Sequence, residues 1–198
     1  MNRKTLDRLL ASGGIVVAAV LVAGGALLTW AHVFVHDQVH SQLAAQKIYF
    51  PPSGNEALTS LPPADRAAMS KYAGQQLVDG DQAKAYANHF IRVHLSEMGG
   101  GQTYAQLSEK SLAQPTNTKL AALVQTVFRG ETLRGLLLNA YAFDTMATIA
   151  WIGAIVAYVG AAVMALLAAL GFAHSRRVHG QAPPAGAPAI EQIPADRS

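Results

Sequence analysis

Two long apolar segments constrain this chain more than any other feature of its sequence. Residues 13–35 and 145–173 contain no Asp, Glu, Lys or Arg, and each exceeds the roughly 20 residues that a helix needs to cross a bilayer. Both are therefore predicted to be transmembrane helices. Apolar residues recur with a helical period between them. The sequence thus predicts an all-α membrane protein, with two transmembrane helices flanking a helical extracytoplasmic domain.

The positions of the basic residues predict how the two helices are oriented. They flank the apolar segments on the sides nearest to the termini: Arg3, Lys4 and Arg8 before the first, and His174, Arg176 and Arg177 after the second. Lys and Arg next to a span tend to stay cytoplasmic. We therefore expect residues 1–12 and 174–198 in the cytoplasm and residues 36–144 outside it, at the cell membrane. Acidic and basic residues balance within 36–144, so no basic face predicts a nucleic-acid partner.

A cleaved signal peptide is the alternative interpretation of the first segment, because Gly24, Gly25 and Ala26 offer small residues for cleavage. The apolar run continues to Phe34, beyond the roughly 7–15 residues of a signal core, which favours a retained anchor. The tail from Gly180 to Ser198 holds four prolines and few large apolar residues, a composition typical of disorder.

The region between the spans divides at prolines and glycines. The first helix is expected to continue to about Lys47 and to end before Pro51 and Pro52, which remove backbone donors. Further helices are predicted over about 62–72, 81–98 and 103–113, followed by one that opens near Asn117 and runs into the second span. Residues 36–47 and 133–143 should then pair as an antiparallel stalk. The chain has no cysteine, so packing alone must stabilise the domain.

Small residues recur every four positions along the second span. This predicted helix-packing ridge comprises Gly153, Ala157, Ala161, Ala165 and Ala169. Small side chains let two helix backbones approach closely in lipid, so the ridge predicts a packed hairpin or a homodimer. An alanine-rich composition without a packing role is the other interpretation.

Histidines suggest one metal site and no catalytic one. His32, His36 and His40 share a helical face, but about 12 Å of helix rise separates the first from the third. Only His36 and His40 are therefore candidate metal ligands, for zinc or iron, and they need further ligands from elsewhere. Hydrogen bonding of these imidazoles to water, lipid headgroups or a facing helix is the alternative. No residues are predicted to be catalytic or cofactor-binding.

A second histidine cluster contains His89, His94 and Glu97. His94 and Glu97 lie three residues apart and can face each other, whereas His89 lies about 140° around the helix from His94. The three side chains are therefore not expected to converge on one ion.

Four segments of the chain resemble a known family. They are Gln46–Pro52, Tyr72–Gln76, Ala87–Ile91 and Phe128–Phe143. These segments are similar to those of a family of actinobacterial membrane proteins with two transmembrane helices and no established activity, and the likeness covers about residues 13–177. Some members carry the name aromatic ring-opening dioxygenase. Such enzymes need two histidines and a carboxylate facing one iron, and the nearest candidates in this sequence point apart.

The last of these segments carries a candidate interaction or structural network formed by Arg129, Glu131 and Arg134. Glu131 and Arg134 can pair on the helix surface. The absence of a catalytic pattern and the predicted topology favour a non-enzymatic accessory, scaffold or sensing subunit of the cell envelope. Its partners would be the bilayer and either another membrane or envelope protein or a second copy. The alternative is a metal- or lipid-dependent envelope enzyme that uses histidines near the outer interface.

Overall fold

The computed structural model describes residues 3–177 and, within them, the side chains of residues 9–174. The helices are, in chain order, α1 (Arg3–Ala45), α2 (Glu56–Thr59), α3 (Pro63–Ser70), α4 (Gly80–Tyr86), a π-helical turn (Ala87–Ile91), α5 (Arg92–Met98), α6 (Tyr104–Ala113) and α7 (Thr118–Arg177). The predicted all-α fold class is confirmed, since residues 3–177 contain no β-strand and only an isolated bridge between Tyr49 and Gln76. Residues 1–2 of the predicted cytoplasmic N-terminus and the tail from residue 178 lie outside the described residues.

Contacts along the chain divide it into two units. Among the described residues, the terminal unit comprises residues 3–24 and 156–177, and the central unit comprises Gly25–Ile155. Each unit contains a segment of both α1 and α7. The two units are described separately below.

The two long helices expose most of their apolar side chains. Both are long and apolar enough to span a membrane, yet only 17% of the most apolar window in α1 and 11% of that in α7 is buried. The core helix of a water-soluble protein would be covered by its neighbours. An exposed apolar surface of this extent indicates a membrane or protein partner. The two helices are therefore candidate membrane-spanning helices.

Small residues bring α1 and α7 together in the terminal unit. Ala11, Gly14 and Ala18 of α1 are buried, as are Ala161 and Ala168 of α7. A Cβ atom on Gly14 would lie 3.4 Å from the Cβ of Ala168, which is van der Waals contact. The backbones thus approach closely where both helices carry small side chains.

The core of the central unit forms around the loop that follows α1. Phe50, Met69 and Leu77 are almost fully buried. The ring of Phe50 lies 5.2 Å from that of Tyr72 and 5.4 Å from that of Tyr86, within the range of favourable aromatic pairs. A loop containing two prolines is therefore held by apolar packing from α3 and α4.

Backbone hydrogen bonds join this loop to the segment between α3 and α4. Phe50 N donates to Gln75 O over 2.9 Å, and Leu77 N donates to Ile48 O over 2.8 Å. Gly74 directly precedes these bonds, and its N donates to Phe50 O over 3.3 Å. Its φ of +75° is one that glycine adopts without steric cost. Two of the family-like segments, Gln46–Pro52 and Tyr72–Gln76, consequently pair with each other.

The stalk predicted from residues 36–47 and 133–143 also packs into this core. Val39 and Leu43 of α1 and Leu137 of α7 are buried in the same apolar cluster as Phe50. A smaller cluster joins Leu107 of α6 to α7. Both ends of the central unit are thus fixed to the long helices.

Local capping explains where the short helices begin. The side chain of Asp79 accepts a hydrogen bond from Gln82 N at the start of α4, and Thr103 forms a capping box with Gln106 at the start of α6. Gly100 and Gly101 take positive φ after α5. These bounds agree with the sequence predictions, whereas α2 and the π-helical turn were not predicted.

Candidate functional site

Two of the three histidines on α1 contact α7 within the central unit. His36 Nδ1 donates to Asp144 Oδ1 over 2.8 Å, and His32 Nδ1 donates to Ala147 O over 2.9 Å. The His32 ring also stacks on Trp151, with centroids 5.3 Å apart. These two imidazoles therefore bond to the facing helix, which was one of the alternatives to metal binding for the histidines of α1.

Asp144 is the residue at which three helices meet. Its Oδ1 pairs with His36 of α1, and its Oδ2 accepts a hydrogen bond from Gly80 N at the start of α4 over 3.2 Å. The Asp144 side chain is 19% exposed. A Cβ atom on Gly80 would lie 2.6 Å from the Cβ of Asp144, so this contact requires glycine. We name Gly80, His36 and Asp144 the three-helix junction.

Sequence reasoning missed this junction. Asp144 lies just before the predicted second span and was counted only as one charge among many. The usable signal was an acidic residue directly before one apolar segment and a histidine, His36, directly after the other. Gly80 gave no signal of its own, because a glycine at a helix start is common.

The metal prediction for His36 and His40 stays a prediction. No group of three or more His, Cys, Asp or Glu side chains in the described part of the chain is arranged to hold an ion. His36 Nδ1 is engaged by Asp144, and His40 is exposed. A site on this pair would need ligands from another molecule.

A second polar cluster forms where the helix over residues 80–98 widens into a π-helical turn. His89 lies in this turn, and its Nδ1 donates to Asp65 Oδ1 over 2.7 Å. Arg92 Nη2 donates to the same oxygen over 3.1 Å. Asp65 of α3 thus ties two turns of one helix together. Turns of this kind are frequent at functional sites.

The π-helical turn also contacts α7. Arg134 Nη2 donates to the Asn88 side-chain oxygen over 3.3 Å, and Arg134 Nη1 donates to Glu131 Oε2 over 3.2 Å. The Nε of Arg134 is buried and makes no hydrogen bond within the described residues. The predicted Glu131–Arg134 pair is therefore present, and Asn88 joins it. Arg129 is exposed on the same helix.

This polar network joins the other two family-like segments, Ala87–Ile91 and Phe128–Phe143. The bond between them is the one from Arg134 to Asn88. His94 takes no part, since its Nδ1 donates to the carbonyl of Phe90 over 2.8 Å. The sequence left open whether His94 and Glu97 face each other, and the structure shows the His94 ring bonded to the carbonyl one helical turn earlier.

Lys84 and Tyr141 form one more link between the α4 region and α7. Lys84 Nζ donates to Tyr141 Oη over 3.0 Å and lies 4.4 Å from the ring centroid. The hydrogen bond from Lys84 to Tyr141 raises the pKa of Lys84 above its usual value. Burial likewise raises the pKa of the Tyr86 hydroxyl. Neither shift brings a group near neutral pH, so neither indicates an acid or base for catalysis.

The predicted small-residue ridge agrees with the structure at only some of its positions. Ala161 is buried, and a Cβ atom on Gly153 would lie 3.3 Å from Leu28. Ala157 is half-buried, whereas Ala165 and Ala169 are exposed. The last two positions of the ridge are thus not covered by other described residues of this chain. Packing of the exposed positions against a second copy stays a prediction.

The buried alanines of α7 recur every seven residues instead: Ala147, Ala154, Ala161 and Ala168. Steps of four residues turn about 40° per step around a helix, so a ridge of five positions rotates away from any straight neighbour. Steps of seven residues drift by only about 20°. Within each unit, the two buried alanines of α7 are thus seven residues apart, a spacing that keeps them on nearly the same face of the helix.

Comparison with known proteins yields no relative: the chain matches no family model, no curated protein and no solved structure. The fold defines the class instead. This is an all-α protein with two candidate membrane-spanning helices and a packed helical region between them. The resemblance to actinobacterial two-span proteins stays an expectation.

Proposed function

We propose that this chain is a non-enzymatic cell-envelope protein, belonging with the two-span actinobacterial proteins that it resembles. In this proposal residues 13–35 and 145–173 span the cell membrane, and both termini are cytoplasmic. Residues 36–144 then act outside the cytoplasm as an accessory, scaffold or sensing subunit. Its partners are the bilayer and either another envelope protein or a second copy.

One observation carries the proposal: two apolar helices with exposed faces flank a compact helical unit. Only 17% and 11% of their most apolar windows are buried, as expected of helices that face lipid. Polar side chains of the central unit, such as Asp65 and Asp144, are engaged in bonds between helices. Those bonds support a structural role for these side chains. We therefore favour a binding role for the unit over a catalytic one.

The distribution of charge supports the proposed orientation. The net charge of +3 comes from the two ends, because residues 36–144 are balanced. Basic ends next to spans favour the cytoplasmic leaflet and its anionic headgroups.

Cysteine labelling tests the topology, because the chain has no cysteine of its own. A cysteine at Ser53, which is exposed in the loop after α1, should react with a membrane-impermeant maleimide in intact cells. Cysteines at Asn2 and Ser198 should react only after the cells are opened. Labelling of either terminal cysteine in intact cells would refute the orientation, and so would a mature chain that begins near Leu27.

Photo-crosslinking tests the proposed binding role. Arg129 is exposed beside the network of Glu131 and Arg134, so a photoreactive residue at position 129 should form adducts with one defined protein in native membranes. Lys119, exposed on the same helix, is the matched control and should form none. Absence of adducts at both positions, in a protein that also runs as a strict monomer, would contradict the subunit role.

The metal- or lipid-dependent envelope enzyme remains the second candidate. The bond between His36 and Asp144 favours it, because a carboxylate on one ring nitrogen commonly orients an imidazole whose other nitrogen binds metal. Elemental analysis of the purified protein separates the two candidates. Stoichiometric zinc or iron that is lost when His36 and His40 are both changed to alanine would favour the enzyme, and we expect no such metal.

A further inference from the structure

An apolar groove runs along the stalk of the central unit, between the end of α1 and the neighbouring part of α7. Its volume is about 420 Å³, within the range of roughly 300–1,000 Å³ that is usual for ligand sites. Val39 and Leu43 line it from α1, and Leu136, Ala140 and Phe143 line it from α7. Ile48 continues the α1 wall beyond the end of that helix.

The chemistry of the groove favours a neutral, apolar ligand. Its polar side chains are the amides of Gln42, Gln46 and Asn139, and no Asp, Glu, Lys or Arg is among the residues that line it. Amides accept and donate hydrogen bonds without a charge to be compensated. The groove therefore offers apolar walls for a hydrocarbon and uncharged groups for the polar end of the same molecule.

The length of the groove suits an extended hydrocarbon chain. Its α7 wall from Leu133 to Phe143 is about 15 Å long at a rise of 1.5 Å per residue. Apolar side chains on both walls offer carbon contacts of about 4 Å along this length.

The rim of the groove continues into the exposed apolar surface of α7. Leu136 and Phe143, at the rim, are 61% and 56% exposed, and Met146, three residues further along the helix, is 62% exposed. Residues 145–173, the predicted second span, begin two positions after Phe143. Exposed apolar side chains thus lead from the groove to a candidate membrane-spanning segment.

We propose that this groove binds one acyl chain of a membrane lipid, drawn partly out of the bilayer. The inference rests on the proposed placement of the two helices in the membrane. A hydrocarbon chain that leaves lipid for an apolar groove exchanges one apolar environment for another, so burial alone gives little preference for the groove. Selectivity then comes from the fit to the groove and from the three amides.

Photolabelling tests the proposal with the full chain in nanodiscs that contain phosphatidylcholine with a diazirine in its acyl chain. Peptides covering 39–48 and 133–143 should be labelled as strongly as the lipid-facing peptide 146–155. Ala140→Trp fills the groove and should reduce labelling of both groove peptides about tenfold, without changing that of 146–155. Ala142, exposed on the same helix and absent from the groove lining, is the matched control, and Ala142→Trp should label like the natural sequence.

A second pair of variants covers the case in which tryptophan disturbs folding. Leu136→Gln makes the exposed rim polar and should lower groove labelling, whereas Leu112→Gln, at a residue that is 81% exposed on α6, should not. Equal groove labelling in the natural, Ala140→Trp and Leu136→Gln proteins would overturn the proposal, as would crosslinks from the groove to a second protein chain. Failure to label 146–155 would instead refute the membrane placement itself.

Discussion

Replacing Gly80 by alanine should destabilise the three-helix junction. The new Cβ would lie 2.6 Å from the Cβ and 2.8 Å from Oδ2 of Asp144. The Cβ of Asp144 cannot retreat far, because it is bonded directly to the α7 backbone. By contrast, a Cβ on Gly130 would meet the outer part of the Leu95 side chain, which can rotate.

The size of the effect follows from three terms. Overpacking of this kind costs about 1–3 kcal/mol. Stretching the hydrogen bond from Gly80 N to the Asp144 carboxylate costs about 1 kcal/mol more. Alanine in place of glycine returns at most about 1 kcal/mol of helix propensity, so the free energy of unfolding should fall by about 1–3 kcal/mol.

Thermal unfolding in detergent, followed by circular dichroism, measures this loss. Gly135→Ala is the matched control, because a Cβ there meets nothing within 4 Å; it should raise stability by up to about 1 kcal/mol. Asp144→Gly should remove the clash, so the double variant Gly80→Ala/Asp144→Gly should lose less than the sum of the two single variants. If Gly80→Ala unfolds at the same temperature as Gly135→Ala, the junction does not require glycine and our reasoning is wrong.

Three further predictions test other contacts of the central unit. Asp65→Ala removes the acceptor of His89, and because the partner side chains are partly exposed we expect a loss of about 1 kcal/mol in urea unfolding; an unchanged midpoint would contradict it. Thr103→Ala removes the cap of α6 and should cost about 1 kcal/mol, seen as faster amide exchange confined to residues 104–107. Lys84→Met should unfold more easily than the natural protein below pH 10. Because the pKa of Lys84 is raised in the folded state, its charge contributes fully to the free energy of unfolding below the unfolded pKa of about 10.4. That contribution is lost as the pH rises through the folded pKa. The free energies of unfolding of the two proteins should therefore become equal at high pH.

Much of the local structure was predictable because its causes lie within a few residues. The end of α1 before Pro51, the cap of α4 at Asp79 and the capping box at Thr103 are set by prolines and capping side chains near each helix end. The π-helical turn at Ala87–Ile91 was not predicted, because it carries no proline or glycine. Its Asn88 and His89 contact Arg134 and Asp65, which are far away in the sequence.

The contacts of the candidate sites also differ in whether the sequence could predict them. The pair of Glu131 and Arg134 was predicted, because the two residues lie three apart on one helix. The junction of His36, Gly80 and Asp144 was not predicted, since its members are separated by 108 and 64 residues in the sequence. Such contacts depend on which faces of distant helices meet.

By itself, the sequence determined the helical class, the two long apolar helices and most helix bounds, since chain polarity, prolines, glycines and caps act over short distances. Only the tertiary structure decided which small side chains of α7 are buried: Ala147 and Ala154, seven residues apart, are buried, whereas Ala165 is exposed. The physical reason is geometric. Burial on a long helix depends on the direction of its neighbour, and small differences in helical period accumulate into large rotations.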